Sequence, residues 1–317
     1  MRVLVAPLNW GLGHASRCIP MIERLQSEGH EVVLGGNGES LTLLRKRFPS
    51  LTVLPLASLD LRYGKGSRQV LAMLCALPQL IRSARQDHAL LEEYLRYEQL
   101  DEVISDNRFG LYSHKTRCIY MTHQLIIPLP RPWRWLEPLV ARMHRRLINR
   151  YDACWIPDES VGKDGKQGLA GKLSHPAVMP NNTEYIGVLS RFTGKTFQPD
   201  RTYKVVAVLS GLEPQRSLFE QTICRRYENS DATVLIVRGK MHCPPTVVKH
   251  ANITIVPWLD DTHLAAYLLG AERILCRSGY SSVMDMHALG VMPKVEWHPT
   301  PGQPEQEYLE RHLAVDS

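Results

Sequence analysis

Apolar residues along this 317-residue chain follow two alternating rhythms. Short runs rich in Val, Ile and Leu suit a strand buried on both faces. They give way to stretches whose apolar residues return every three or four positions, as on one face of a helix. Val3-Leu4-Val5-Ala6-Pro7 is the first run, and Ile19, Ile22 and Leu25 mark the first helix, stopped at Gly29. Further strands are expected at 30–36, 51–56, 102–105, 118–121 and 152–156. Helices are expected at 40–47, 67–97 and 136–147, with Pro78 kinking or breaking the long one and a turn at Gly64-Lys65-Gly66.

The rhythm restarts near residue 203. Lys204 to Leu209 reads as a buried strand, Pro214 opens a helix, and strands follow at 233–237, 253–256 and 273–275. Asp260-Asp261 is expected to cap the helix before the last of these, and another helix runs to Leu289. Residues 159–200 are rich in Gly, Pro, Asn, Ser and Lys without a clear period. They read as the interdomain connection, holding a brief strand at 183–187. Strand–helix alternation twice over predicts an α/β protein of two Rossmann-like domains, 1–180 and 181–317, each on a parallel sheet.

Composition narrows the function classes. The chain is 44% apolar and 22% charged, which argues against wholesale disorder. Seven cysteines with no CxxC pair argue against a disulfide framework or structural zinc and favour a reducing cytoplasm. The net charge of +6 fits an anionic substrate, a membrane surface or nucleic acid, and no nucleic-acid recognition module is visible. The N-terminus runs straight into a strand, so no signal peptide is expected. The most apolar helix, Val70 to Ile81, is too short to span a bilayer.

Two glycine-containing loops carry the candidate chemistry. Asn9-Trp10-Gly11-Leu12-Gly13-His14 lies between the first strand and the first helix. Helix-start N–H groups favour anions there, glycines admit a ligand to the backbone, and His14 is placed to take a proton. Polar residues at strand ends, Asn9, Asp106, Arg108, Thr122 and His123, are expected to line one crevice. Gly11-x-Gly13 raises the question of a dinucleotide-binding dehydrogenase. However, position 16 is Ser, and Gly35-Gly36-Asn37 ends the second strand where an acid is needed.

In the second half, Ser210, Gly211 and Arg216 could hold a phosphate at a helix start. Arg277, Ser278, Gly279, Ser281 and Ser282 offer N–H groups and hydroxyls for a diphosphate. Asp285 follows within reach of a ribose, and Gln303, Gln306 and Glu307 could hydrogen-bond sugar hydroxyls. Each has a plainer reading as a capped turn or solvated loop.

These residues resemble the GT-B nucleotide-sugar glycosyltransferases, near glycosyltransferase family 28, which includes the lipid II N-acetylglucosaminyltransferase and monogalactosyldiacylglycerol synthases. The likeness is strongest over Cys276 to Leu309, good at Gly11 to Arg17 and Ser210-Gly211, and only architectural between Leu51 and Pro157. It implies two domains facing across a cleft, a UDP-sugar as co-substrate, a hydroxyl acceptor on a lipid or glycan, and no further cofactor or metal. Ser278, Gly279 and Ser281 inherit the diphosphate, Asp285 the ribose in place of the family's usual Glu, Gln303, Gln306 and Glu307 the hexose, and His14 the role of base. Relatives continue past the Gln-rich loop into a further helical segment, so the second domain is expected to be short. A nucleotide-sugar hydrolase or epimerase, and a non-catalytic nucleotide-sugar-binding protein, are the alternatives.

One stretch stands apart. Trp133, Arg134 and Trp135 lead into a helix with Leu136, Leu139, Val140, Met143 and Leu147 on one side and Arg142, Arg145, Arg146 and Arg150 beside them. The apolar side is expected to pack on the sheet. The Trp/Arg lead-in also fits peripheral contact with an anionic membrane, on the inner face of the plasma membrane.

Overall fold

The computed structural model describes residues 1–57, 69–162, 165–240, 243 and 247–315, so the turn expected at 64–66 lies outside the described residues. The chain divides into two units, Met1–Leu189 and Ser190–Ser317.

The first unit is built on a seven-stranded sheet. In chain order its strands are β1 (Arg2–Pro7), β2 (Glu31–Gly36), β3 (Thr52–Pro55), β4 (Glu102–Asp106), β5 (Arg117–Met121), β6 (Ala153–Ile156) and β7 (Thr183–Tyr185). They lie in the order β3-β2-β1-β4-β5-β6-β7, and every pairing is parallel. The helices are α1 (Leu12–Ser27), α2 (Gly38–Arg47), α3 (Gln69–Tyr97) and α4 (Glu137–Ile148). The central strands β1 and β4 are buried from Val3 to Pro7 and from Glu102 to Asp106. That explains the unbroken apolar run from Val3 to Pro7, while β4 buries the polar Glu102, Ser105 and Asp106 with Val103 and Ile104. α3 continues through Pro78 rather than ending there. β7 joins the sheet beside β6, which carries the first unit beyond residue 180 and into the stretch expected to be connection.

The second unit holds β8 (Val205–Val208), β9 (Val234–Val237), β10 (Val248–His250), β11 (Ile253–Val256), β12 (Arg273–Cys276) and β13 (Val295–Trp297). Their order is β10-β11-β9-β8-β12-β13, parallel except for the antiparallel β10–β11 pair. Its helices are α5 (Gln215–Tyr227), α6 (Asp261–Gly270), α7 (Tyr280–Ala288) and α8 (Pro304–Val315). Alternation along β8 feeds two cores. Val206 packs with Leu264 and Leu268 of α6, while Val205 and Ala207 pack with Phe219 and Ile223 of α5. The three-residue edge strands β10 and β13 were not expected, because three residues are too few to establish a period.

The strand orders fix where ligands belong. In the first sheet the chain winds outward from β1 to β2 and β3, then returns to place β4 on the other side of β1. In the second it winds from β8 to β9 and β11, then returns to place β12 on the other side of β8. Open α/β sheets bind ligands outside the carboxyl ends of the strands at such a switch point, because the two adjacent loops leave in opposite directions. In the first unit this spot is the end of the Pro7–Asp106 register, and in the second the end of the Val208–Cys276 register.

Candidate functional site

At the first switch point the loop after β1 runs into α1. Gly11 has φ +77°, a left-handed conformation that favours glycine, and a Cβ there would meet nothing within 4 Å. The helix start carries no side-chain cap and no acidic residue in its first turn. Its backbone donors are therefore not taken up by a side chain. The loop is held from behind. The Ser40 hydroxyl donates to the carbonyls of Leu8 (3.3 Å) and Gly11 (3.2 Å), and the Asn9 side chain accepts from the Ser40 N–H (3.2 Å). Asn9 is thus a fastening of the loop.

Facing this loop, Asp106 ends β4 with a fully buried carboxylate. Arg17 of α1 forks onto it: Nε donates to Oδ2 at 2.8 Å, and Nη2 donates to Oδ1. His14 Nδ1 lies 3.1 Å from Asp106 Oδ2 and 3.0 Å from Arg17 Nη2. Arg17 Nη1 reaches Nδ1 of the buried His123 at 3.2 Å. Burial by itself would raise the Asp106 carboxyl. The Arg17 guanidinium and His14 outweigh that and hold it well below the usual carboxylate range. The sequence-predicted residues His14, Asp106 and His123 therefore meet in one cluster. The His14 ring is partly exposed, and among the described residues nothing hydrogen-bonds its Nε2. The other strand-end residues belong elsewhere. Arg108 is buried on Asp87 (2.9 Å) and the Ala57 carbonyl (2.8 Å), and the Thr122 hydroxyl accepts from the Gln124 N–H (3.1 Å).

The second unit contrasts two helix starts. At α5, the Glu213 carboxylate takes the Ser217 N–H (3.2 Å) and hydroxyl (2.7 Å), with Arg216 at 3.3 Å and Lys240 at 3.0 Å on its other oxygen. Partial burial opposes ionisation, but the Ser217 and Lys240 bonds hold Glu213 down at about 2. The chain's own carboxylate sits where a phosphate was expected, and Arg216 is paired with it. Ser210 and Gly211 (φ +90°) remain beside that start.

At α7, no side chain caps the helix and no acid lies in its first turn. Among the described residues the Ser281 and Ser282 hydroxyls have no partner, and Gly279 opens the helix. The surroundings correct several expected roles. The buried Ser278 hydroxyl donates to the Gln306 carbonyl at 2.9 Å, tying α7 to α8. Arg277 is spent on the carbonyls of His298 (3.2 Å), Pro299 (2.9 Å) and Gln215 (3.1 Å), with its guanidinium over the Phe219 ring. Burial lowers Arg277 to about 10.

Asp285 is held by its own unit. It is buried, accepts from the Ser190 hydroxyl (2.6 Å) and Arg191 Nε (3.2 Å), and is raised by burial against the pull of Arg191. Gln306 accepts from the Thr300 N–H (2.8 Å) and donates to Gln303 (2.5 Å), while Glu307 accepts from the Gly302 N–H (3.1 Å). These three residues shape their own loop.

No family model matches the chain. It is similar to a curated protein described as an uncharacterized glycosyltransferase from Methanosarcina acetivorans, at 22% identity over 97% of this chain and 82% of the relative. Its structure resembles spinosyn forosaminyltransferase, with a TM-score of 0.61 and 17% identity over 100% of this chain and 83% of that one. It also resembles an Arabidopsis thaliana protein solved with UDP-L-rhamnose, with a TM-score of 0.55 and 14% identity over 99% and 90% of the two chains. The fold is GT-B.

Beyond the two switch points, α4 departs from expectation. Its buried residues are His144 and Ile148 rather than the Leu139–Met143 side. Trp135, Leu139 and Met143 are 73%, 54% and 56% exposed. Trp133, Arg131, Arg134, Arg142 and Arg146 are exposed around them. Sequence reasoning left Arg17 without a role, although it stands one helical turn after His14. Its spacing was the available signal, since residues three apart share a helix face.

Proposed function

We propose that this protein is a glycosyltransferase that moves a hexose or N-acetylhexosamine from a UDP-sugar to a hydroxyl acceptor, with inversion and without a metal ion. The observation that carries the reading is the His14–Asp106 pair at the first switch point. An Nδ1–H donated to the carboxylate leaves the Nε2 lone pair as a base, the arrangement of an oriented general base. The acceptor hydroxyl gives its proton to Nε2 and its oxygen attacks the anomeric carbon. The bond from that carbon to the diphosphate breaks, and the nucleoside diphosphate leaves with the electron pair. The uncapped start of α7, with Gly279, Ser281 and Ser282, suits the diphosphate, because helix-start N–H groups stabilise developing negative charge. A plant structural neighbour solved with UDP-L-rhamnose supports UDP as the nucleotide. Family 28 is our reading of the Arg277-Ser278-Gly279 loop and the Gln-rich segment.

The acceptor we favour is carried on a membrane. The exposed Trp135–Leu139–Met143 ridge with its arginines supports contact with anionic lipid. Among the described residues no helix is long and apolar enough to cross a membrane. The test is transfer of labelled sugar from a panel of UDP-sugars to lipid extracts. The His14→Ala variant is expected to lose about 100- to 10,000-fold in turnover while still binding UDP. Free sugar released with no acceptor present would indicate a hydrolase instead, and unchanged turnover in His14→Ala would remove His14 as the base.

A further inference from the structure

Buried charge has to balance, and the cluster at the first switch point balances only because of Arg17. Its members are the Asp106 carboxylate, the Arg17 guanidinium, and the imidazoles of His14 and His123, with the Cys18 thiol 3.8 Å from Asp106 Oδ2. Arg17 and His123 each make a further contact besides these. Burial and the Asp106 charge raise the Cys18 thiol well above its ordinary range, so it stays neutral. An ionised carboxylate can only accept and a guanidinium can only donate. His123 Nδ1, against Arg17 Nη1, must therefore offer its lone pair, which makes His123 neutral with its proton on Nε2. His14 Nδ1 lies within reach of both kinds of partner and can satisfy one. Both contacts are charge-assisted, and Arg17 Nη2 keeps a second hydrogen beyond the one on Asp106 Oδ1; a proton on Nδ1 lets the ring donate to the carboxylate instead of setting its lone pair against Asp106 Oδ2 at 3.1 Å.

We infer that Arg17 is a positioning residue for His14: it serves as the internal counter-ion of Asp106, so that His14 stays neutral with its proton on Nδ1 and its Nε2 free. Among these groups one plus and one minus then sum to zero with both rings uncharged. Without Arg17 the carboxylate would be left alone in a buried site. The nearest group able to compensate is His14, which would take up a second proton on Nε2 and cease to be a base.

This rests on His14 acting as the base, but the decisive test does not. In ¹⁵N-histidine-labelled protein near pH 7.5, ring-nitrogen shifts report the protonation of each His14 nitrogen, with His14→Gln assigning the signal. In the wild type, Nδ1 is expected to carry the proton and Nε2 none. In Arg17→Met both nitrogens are expected to be protonated, and in Arg17→Lys, which keeps the charge, the wild-type pattern should return. A wild-type proton on Nε2, or a neutral His14 in Arg17→Met, would overturn the inference. Should Arg17→Met fail to fold, the wild-type and Arg17→Lys spectra decide. In turnover, Arg17→Met should move the acid limb of kcat/KM upward by about one pH unit or more, whereas a purely structural role would lower the rate equally at every pH. If no transfer activity is found at all, the spectra still stand, so failure of the function reading and failure of this one are separate results.

Discussion

Asp106 in the first unit and Asp285 in the second are both buried carboxylates beside an arginine, and their acidities are shifted in opposite directions. Asp106 receives a fork from Arg17 plus a contact from His14 and is held far below the ordinary range. Asp285 receives one hydroxyl and one Arg191 nitrogen, and Arg191 is shared with Asp261 (3.1 Å). Burial therefore wins at Asp285 and raises it. Depth alone does not fix the charge of a buried acid; the share of a cation that it receives does. A carboxylate that owns its arginine can serve chemistry beside it. One that shares its arginine works as a fastening, here between α7 and the first residues of the second unit.

The largest effect that could break this comparison is on stability. Asp106→Asn strands the buried Arg17 charge and should cost about 3–5 kcal/mol in urea unfolding. Asp285→Asn removes a carboxyl that burial already disfavours and should stay within about 1 kcal/mol of wild type. Equal losses would mean that the two acids are equivalent after all.

The pH dependence comes next, and the signs differ. Asp106 has a depressed folded value, so its stabilisation is complete above the unfolded carboxyl range and is lost as pH falls below it. Asp285 is raised, so its contribution is present in acid and is lost as pH rises through its folded value. Asp285→Asn should therefore gain on wild type as pH rises from acid to neutral. His144 adds to the first unit. Burial lowers it to about 4, and its Nε2 has no hydrogen-bond partner. Stability should fall by about 3 kcal/mol between roughly pH 6.5 and 4 as the unfolded chain takes up the proton first. His144→Leu should flatten that slope in pH-dependent unfolding. An unchanged slope would place the proton uptake elsewhere.

A smaller effect separates the two helix starts of the second unit. Ser281→Ala should weaken UDP binding by about tenfold, one hydrogen bond to a charged group. Arg216→Ala should leave it nearly unchanged, since Glu213 already holds that guanidinium. Isothermal titration with UDP checks both, and equal losses would mean that α5 also holds the diphosphate.

The sheet strands were legible because buried parallel strands write themselves as apolar runs, and Val3 to Ala6 and Val205 to Val208 needed no context. The positions of His14 and Asp106 were legible because strand ends at a switch point face ligand. The partner of each polar group was not. Gln303, Gln306 and Glu307 have the composition of a sugar-binding loop, but their bonds to one another and to Thr300 and Gly302 depend on how one turn closes. The partners of Arg216 and Asp285 were hidden for the same reason, since spacing shows which groups are near a helix start but not that Glu213 pairs with the one and Ser190 and Arg191 with the other. On α4 the apolar side was visible and its direction was not. A helix with one apolar side is equally consistent with packing on a sheet and with facing outward, and His144 and Ile148 settle which side is inward.

That outward ridge gives the smallest expected effect, and it extends the comparison to the surfaces of the units. Among the described residues, the exposed large apolar residues of the second unit, Leu218 and Val247, are far apart in sequence, whereas Trp135, Leu139 and Met143 recur every fourth position on one stretch of the first. Arg142 and Arg146 follow the same helix, and its one acid, Glu137, is bound to the Leu129 N–H at 2.9 Å. Near an anionic surface each arginine contributes about 1 kcal/mol, and the apolar side chains contribute on insertion. Trp135→Ser with Leu139→Ser should lower sedimentation with vesicles containing anionic lipid by about tenfold, with little change for zwitterionic vesicles. Leu218→Ser, on the second unit, should change neither. Transfer to a water-soluble acceptor should be untouched by the ridge variant while transfer to a lipid acceptor falls. If both fall together, the ridge serves folding rather than the membrane, and urea unfolding of the variant would then show the missing stability.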